Sequence, residues 1–260
     1  SSMPTPIACA LVGLLPIYAA WRTGCHGALA GLAAAAIVAV TIVGEPLKVR
    51  RSKLYYETEG VEMYERWTAT ARLTFFSTAR ATAALLGVAP GSEEAPAHAW
   101  GRGSKAPEAN VEQFWMEQDG TAGTPITRFD GNTRDMSGFD FLLYAVTSAA
   151  YAVRPPERVA IIGGGGGRDV LTALRSGATD IDVAEFNPGV VDTVSTRYKE
   201  FSGDIYHATG VHAHVSEGRS FLTRSSGGYD LIHITPARSA AATAAGAVAL
   251  SATNLYTVEA

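Results

Sequence analysis

Five consecutive glycines, Gly163 to Gly167, follow the apolar run Arg158-Val-Ala-Ile-Ile162 and precede Arg168 to Ser176, a stretch with helical spacing closed by Gly177. A strand, a glycine loop and a helix in that order form the context in which a backbone can press against a nucleotide. Glycine has no side chain to hold a ligand away, and the free N–H groups and dipole of the helix N-terminus favour negative charge. The next apolar run, Asp180-Ile-Asp-Val-Ala184, ends in Glu185, which lies 22 residues after Gly163. A carboxylate there can accept hydrogen bonds from both hydroxyls of a ribose. A third run, Val211 to Val215, ends at Ser216-Glu217-Gly218, and a fourth, Tyr229-Asp-Leu-Ile-His-Ile234, ends at Thr235-Pro236. Gly163, Gly164, Gly165, Gly167, Glu185, Glu217, Gly218 and Thr235 are therefore the candidate ligand-binding residues.

The elements that must position them follow from the pattern. Four short buried-type strands alternating with helical segments predict an open α/β sheet, in which ligands bind beyond the carboxyl ends of the strands. Upstream, the tyrosine, threonine and aromatic density of Leu54 to Phe76 predicts two or three strands. Glu112 to Glu117 and Thr124 to Phe129 predict further strands, with Asp119-Gly120 and Asp130-Gly131 as turns. Ala89 to Asn110 reads as a loop of Pro, Gly, Ser, Ala and Glu. Phe139 to Val153 reads as one helix with Phe141, Leu142, Tyr144, Ala145 and Ala149 on one side, ended by Arg154-Pro155-Pro156. The chain thus divides into residues 1–44, a small β-rich domain over 45–137 containing the loop 89–110, and a nucleotide-binding domain over 138–260.

Of the 260 residues, 47% are hydrophobic and 18% charged, the latter below the usual quarter of a soluble domain. The shortfall is local. Residues 1–44 hold one charged side chain, Arg22, leaving 20 basic and 25 acidic residues in the remainder. That acidic balance excludes a generic nucleic-acid binder, which needs a basic face to displace phosphate counterions. The apolar content excludes disorder for most of the chain. The two cysteines, Cys9 and Cys25, exclude a disulfide scaffold.

Ile7 to Ala20 and Ala28 to Val43 are uncharged apolar runs separated by Trp21-Arg22-Thr23-Gly24. Each is near the lower limit for crossing a bilayer, roughly 17–25 residues, and two transmembrane helices joined by a tight turn fit best. A secretory signal peptide fits poorly, because no basic n-region precedes the runs. A buried Ala-rich hairpin is the alternative. Lys48, Arg50, Arg51 and Lys53 follow the second run and, by the positive-inside rule, place the rest of the chain on the cytoplasmic side of a membrane. Membrane lipid is then an expected partner.

The segments Ile161-Ile-Gly-Gly-Gly-Gly-Gly-Arg-Asp-Val170, Ala184-Glu-Phe-Asn-Pro188, Glu217-Gly-Arg-Ser-Phe-Leu222 and Tyr229-Asp-Leu-Ile232 together resemble spermidine synthase-like proteins, the polyamine aminopropyltransferases. The likeness is greatest to their large membrane-embedded bacterial branch. Glu65-Arg-Trp-Thr-Ala-Thr-Ala-Arg72, Asp130-Gly131 and Leu250-Ser-Ala-Thr-Asn-Leu-Tyr-Thr-Val-Glu-Ala260 fit the same group, so the resemblance covers roughly 60–260. It implies a Rossmann-like domain of the class I methyltransferase type, preceded by a small β-domain, that binds S-adenosylmethionine, its decarboxylated form or methylthioadenosine. It implies that Glu185 holds the ribose, that Glu217 sits beside the adenine and that Gly163 to Gly167 face the methionine-derived tail. The nucleotide would be a substrate, a polyamine the acceptor, and no metal is implied. Pairing through the β-domain would give a homodimer. A complete domain of this type has further strands after the fourth, so continuation beyond Ala260 is expected, as is a longer membrane region before residue 1.

Two departures matter. Transfer to an amine requires that the amine lose a proton, which calls for a carboxylate near the reacting carbon. The family places an aspartate just after the fourth strand, whereas this chain reads Ile234-Thr-Pro-Ala-Arg-Ser239. The family also carries an aspartate within the glycine motif, where this chain has Gly166. Losing that acid removes a charge that would repel the carboxylate of ordinary S-adenosylmethionine. Methyl transfer is therefore an alternative, and an inactive scaffold or accessory subunit of a membrane complex is another. The catalytic residue is unassigned.

Other residues admit two readings. His212 and His214 share a strand face and could bind zinc, but no third ligand has convincing spacing. Asp169 reads as a helix-dipole partner. Arg168 could meet a ligand carboxylate or lie on the surface. Asp130 and Asp135 could supply a substrate-side acid or merely sit in a turn and a loop. Tyr256 and Glu259 would reach the pocket if the last helix folds back.

Overall fold

The structure is a computed structural model that describes residues 62–77, 105, 107, 112–119 and 122–235. The expected membrane hairpin over 1–44, nearly all of the loop 89–110, and residues 236–260 with Tyr256 and Glu259 lie outside the described residues. Every described residue belongs to the second of the chain's two compact units, Ser52–Ala260. Among the described residues no helix is long and apolar enough to cross a membrane.

The aromatic and β-branched runs upstream form strands, as their fit to a pleated half-buried surface predicts. Strands β1 (Glu62–Trp67), β2 (Arg72–Ser77), β3 (Gln113–Gln118) and β4 (Ala122–Thr127) pair in chain order as an antiparallel sheet. The β1–β2 turn is closed by Thr68, whose hydroxyl donates to the Ala71 carbonyl at 2.8 Å and accepts from its amide at 3.0 Å. Leu73, Phe75, Met116 and Ile126 put one face of this sheet into the main core. The other face buries Thr74, Trp115, Glu117 and Thr127, with Trp115 Nε1 donating to Glu117 Oε1 at 2.9 Å.

The expected single helix over Phe139 to Val153 is not what forms. The chain makes a 3₁₀ segment, Ser137–Tyr144, a second 3₁₀ turn, Val146–Ser148, and only then a short helix α1 (Ala149–Val153). The break falls at Ala145, whose backbone is extended. Tyr144 and Ala149, expected to face inward, are exposed. Phe141, Leu142, Ala145, Ser148 and Tyr151 are buried, and the last four recur with a period of three. That period suits a 3₁₀ helix, in which every third side chain eclipses, and not the 3.6 of an α-helix. Arg154 ends α1 in extended backbone, as the two following prolines require.

The second sheet matches its sequence pattern closely. Strands β5 (Arg158–Ile162), β6 (Asp180–Glu185), β7 (Val211–Val215) and β8 (Leu231–Ile234) are all parallel, in the order β7-β6-β5-β8. The connections carry helices α2 (Arg168–Arg175), α3 (Pro188–Thr196), α4 (Lys199–Ser202) and α5 (Gly218–Arg224). Alternate residues of β5 serve two layers, so the strand reads as continuously apolar. Val159 and Ile161 pack with Val170 and Leu171 of α2 and Val190 and Val194 of α3. Ala160 and Ile162 pack with Phe221 of α5. Full burial of each valine, leucine, isoleucine or phenylalanine among them is worth about 1.5–3 kcal/mol.

One cluster joins the two sheets. Phe75 stacks on Tyr198 with ring centroids 5.1 Å apart, and Phe114 contacts both Tyr198 and Phe201. Asn187 caps α3 by accepting from the Gly189 amide at 3.0 Å, and its side-chain amide donates to Thr68 Oγ1 and Gln118 Oε1 at 3.2 Å each. Arg66 reaches from β1 to Thr193 Oγ1 at 2.9 Å and pairs with Asp192.

Candidate functional site

The parallel registers bring Ile162, Glu185, Val215 and Ile234 to one edge of the sheet. The residues expected to bind a ligand follow directly from those strand ends. The reversal of strand order lies between β5 and β8, the place where open α/β sheets form a crevice.

The glycine loop is built around the carboxylate of Glu185. Glu185 Oε2 accepts from the Gly165 amide at 3.0 Å, and Oε1 accepts from the Asn187 amide at 2.8 Å. Burial pushes the Glu185 carboxyl above its ordinary range, against the amides of Asn187, Gly165, Gly164 and Phe186, which favour its charged form. Gly163 donates to the Ala184 carbonyl at 2.8 Å, and Gly167 closes the turn on the Gly164 carbonyl at 2.9 Å.

The need for glycine in this loop comes largely from the protein itself. A Cβ on Gly166 would lie 2.2 Å from the Pro125 carbonyl oxygen, and one on Gly164 would lie 2.5 Å from the Tyr206 hydroxyl. Strand β4 crosses the loop here: Ile126 bridges to Gly167, and Thr124 Oγ1 accepts from the Gly166 amide at 3.2 Å. Tyr206 seals another side by donating to the Gly165 carbonyl at 2.7 Å. Gly163 differs, because its φ is +90° and a side chain there would meet nothing within 4 Å. Of the five, it is the glycine classed as exposed. Position 166 therefore has no space for an aspartate while β4 stays where it is.

Glu217 takes a different role from Glu185. It caps α5, accepting from the amides of Arg219 and Ser220 at 2.8 Å each. Burial is the largest single influence and raises its carboxyl, but the two amides, the Ser220 hydroxyl and the Arg219 charge together outweigh it and hold the group below the ordinary range. Gly218, the first residue of α5, is buried. Glu185 and Glu217 are tied through the backbone, where the Ser216 amide donates to the Glu185 carbonyl at 3.0 Å. Phe186, between Glu185 and Asn187, is exposed.

At the end of β8, Thr235 Oγ1 donates to Asp169 Oδ2 at 2.5 Å and stands 3.2 Å from His233 Nε2. His233 Nδ1 lies 2.8 Å from the Tyr151 hydroxyl. Asp169 is thus a buried partner of Thr235 as well as a first-turn acid of α2. Arg168 beside it is half-buried, and burial pulls its guanidinium down against the opposing charge of Asp169.

The remaining expectations resolve locally. His214 Nε2 meets Asp182 Oδ1 at 2.8 Å, and His212 faces Asp180 at 3.7 Å, each on the neighbouring strand. Among the described residues no group of three or more His, Cys, Asp or Glu could hold a metal ion. Asp130 accepts from the Asn132 amide at 2.8 Å and Asp135 from the Ser137 amide at 3.1 Å, so both sit in turns of their own making. Sequence reasoning missed Thr124, Tyr151, Tyr206 and His233. Nothing in the local pattern signals Thr124 or Tyr206, because each meets the loop across more than 40 positions of chain.

The fold and site define an open parallel α/β domain with a nucleotide-type glycine turn, docked on a small antiparallel sheet. No family model matches the chain, and no curated protein matches it. Among solved structures it is similar to a spermidine synthase in complex with the transition-state analogue AdoDATO, at 14% identity over 74% of this chain, with a TM-score of 0.40. It is similar to the spermidine synthase from Thermotoga maritima at 14% identity over 76% of this chain, also with a TM-score of 0.40. The chain spans 58% and 60% of the length of those two structures.

Proposed function

We propose that the chain is a membrane-anchored transferase that binds an S-adenosylmethionine-type sulfonium nucleotide at the carboxyl edge of β5, β6 and β7. The observation that carries this reading is the hydrogen-bonded pairing of the glycine loop with the Glu185 carboxylate at that edge. The donor set fits such a ligand. Glu185 would exchange loop amides for ribose hydroxyls, freeing the amides of Gly164 and Gly165 for the methionine-derived tail. Gly163, open and unobstructed, would let that tail approach the backbone. Glu217, Gly218 and exposed Phe186 would border the adenine. The bound sulfonium supplies an electrophilic carbon; the protein orients it and manages the proton lost by the acceptor.

The sequence resemblance favours aminopropyl transfer to a polyamine. Residues 1–44 would anchor the domain on the cytoplasmic side of a membrane, and a second copy or a membrane complex would be its partner. Methyl transfer is the second reading, and a specific observation favours it. The Pro125 carbonyl takes the space of a side chain at position 166, so no acid there repels the carboxylate of ordinary S-adenosylmethionine. The saturation of Glu185 and Glu217 by backbone amides favours a third reading, an inactive scaffold.

Calorimetric titration with S-adenosylmethionine, its decarboxylated form and methylthioadenosine, on the wild type and Glu185→Ala, separates the three. Binding of the decarboxylated form alone supports aminopropyl transfer, and preference for S-adenosylmethionine supports methyl transfer. A folded protein that binds none of them is a scaffold.

A further inference from the structure

The carboxylates at the strand ends are not equivalent. Glu185 is held by the amides of Gly165 and Asn187, and Glu217 by the first turn of α5. Asp169 instead accepts from a side-chain hydroxyl, that of Thr235, at the point between β5 and β8 where the strand order reverses. Behind this pair stand His233 and Tyr151, both buried.

With one proton on the imidazole, hydrogen-bond chemistry gives the chain of four groups one consistent direction. Asp169 accepts the Thr235 proton at 2.5 Å. With its proton so committed, the Thr235 oxygen accepts from His233 Nε2–H at 3.2 Å. His233 Nδ1 then accepts the proton of the Tyr151 hydroxyl at 2.8 Å. A hydroxyl oxygen has one donor and two acceptor positions. Thr235 spends its donor on Asp169 and one acceptor on His233, which leaves one lone pair. Thr235 is half-buried, whereas Asp169, His233 and Tyr151 are buried, so Thr235 is the member of the relay most open to a ligand.

The geometry points to Thr235 and Asp169 as the proton exit of the transfer reaction, with His233 and Tyr151 as positioning residues; this rests on the transferase reading above. The acceptor's nitrogen lone pair forms the new N–C bond while the sulfonium C–S bond breaks, and that bonding pair stays on sulfur, which becomes a neutral thioether. The proton leaving nitrogen passes to Thr235 Oγ1 as the hydroxyl's own proton passes to Asp169 Oδ2. The carboxylate becomes a neutral acid, and every charge is accounted for. The groups facing Asp169 are Arg168 on its own helix, His233 at 3.9 Å and Thr235 on β8, with Tyr151 and Tyr206 beyond.

The test uses the full chain, decarboxylated S-adenosylmethionine and putrescine, with nucleotide affinity measured separately by calorimetry. The wild-type pH–rate profile should show an acid limb on which turnover rises with pH. Asp169→Asn should lower turnover about 10²–10⁴-fold and abolish that limb, since this is the usual worth of a positioned general base. Its nucleotide affinity should be unchanged. Thr235→Val should lower turnover and abolish the limb as Asp169→Asn does, and Thr235→Ser should restore turnover, which separates proton transfer from misfolding. Tyr151→Phe should move the acid limb without altering nucleotide affinity. Wild-type turnover and an intact acid limb in Asp169→Asn, or in Thr235→Val, overturn the relay while leaving the transferase reading standing. A wild type that binds no sulfonium nucleotide overturns both, and one that binds decarboxylated S-adenosylmethionine but transfers nothing to putrescine overturns the relay and the aminopropyl reading together.

Discussion

At the residue scale, the three acids at the sheet edge differ by what they accept from. Glu217 is an N-cap, and Glu217→Ala should cost about 1 kcal/mol by urea denaturation, the usual worth of a side-chain cap. Glu185 is buried, with its carboxyl raised above the ordinary range. A group raised on folding contributes stability below its unfolded pKa and loses it as pH rises through the folded value. The stability of Glu185→Gln relative to wild type should therefore improve as pH rises from the ordinary carboxylate range upward. Glu217, lowered on folding, has the opposite sign: its contribution is present above the ordinary range and is lost on acidification. Denaturation curves of both variants across a pH series check the two signs.

At the element scale, the glycine loop is a junction between strands and helix before it is a ligand site. The Cβ added by Gly166→Ala meets backbone, the Pro125 carbonyl, and backbone cannot turn away as a flexible side chain can. We expect a loss of about 1–3 kcal/mol, the range for overpacking, together with weaker nucleotide binding as β4 shifts. Gly163→Ala meets nothing, but its φ of +90° strains any Cβ, with an expected cost of about 1–2 kcal/mol. Paired thermal melts and calorimetry of the two variants separate steric from conformational causes. The broken helix over Phe139 to Val153 belongs to this scale too. Its apolar residues fit either a period of three or of 3.6, and packing on α2, including the 2.6 Å bond from Arg175 Nε to Asp140 Oδ1, selects the tighter form.

At the scale of the whole Ser52–Ala260 unit, one core cluster contains Phe75 from the antiparallel sheet and Val183 from the parallel one. Two sheets that share a core should unfold together. Phe75→Ala should destabilise by about 3–5 kcal/mol, as for other large core truncations. Hydrogen exchange should show β3 and β6 losing protection in step, and independent loss in β3 alone would contradict the shared core. A ligand that binds the folded unit should raise its stability by about 2.7 kcal/mol at one hundred times its dissociation constant, which a thermal shift with the three nucleotides would show.

The local pattern determined most of the parallel sheet. β5 and β7 begin and end where their apolar runs do, α2 starts at Arg168, and Gly177 adopts the left-handed backbone expected at its end. Such features arise from periodicity, β-branching and the conformational freedom of glycine, all of which act over a few residues. The sequence also placed Glu185, Glu217 and Thr235 on one edge, because parallel strands put their carboxyl ends together. Their roles were not legible there. Whether a carboxylate meets a ribose, a helix amide or a threonine depends on which distant groups arrive beside it. Thr124 lies 42 positions from Gly166, and Tyr151 lies 82 from His233. Contacts at such separations are set by how the sheets and helices pack, so only the tertiary structure decided that β4 closes the glycine loop and that Asp169 stands behind Thr235.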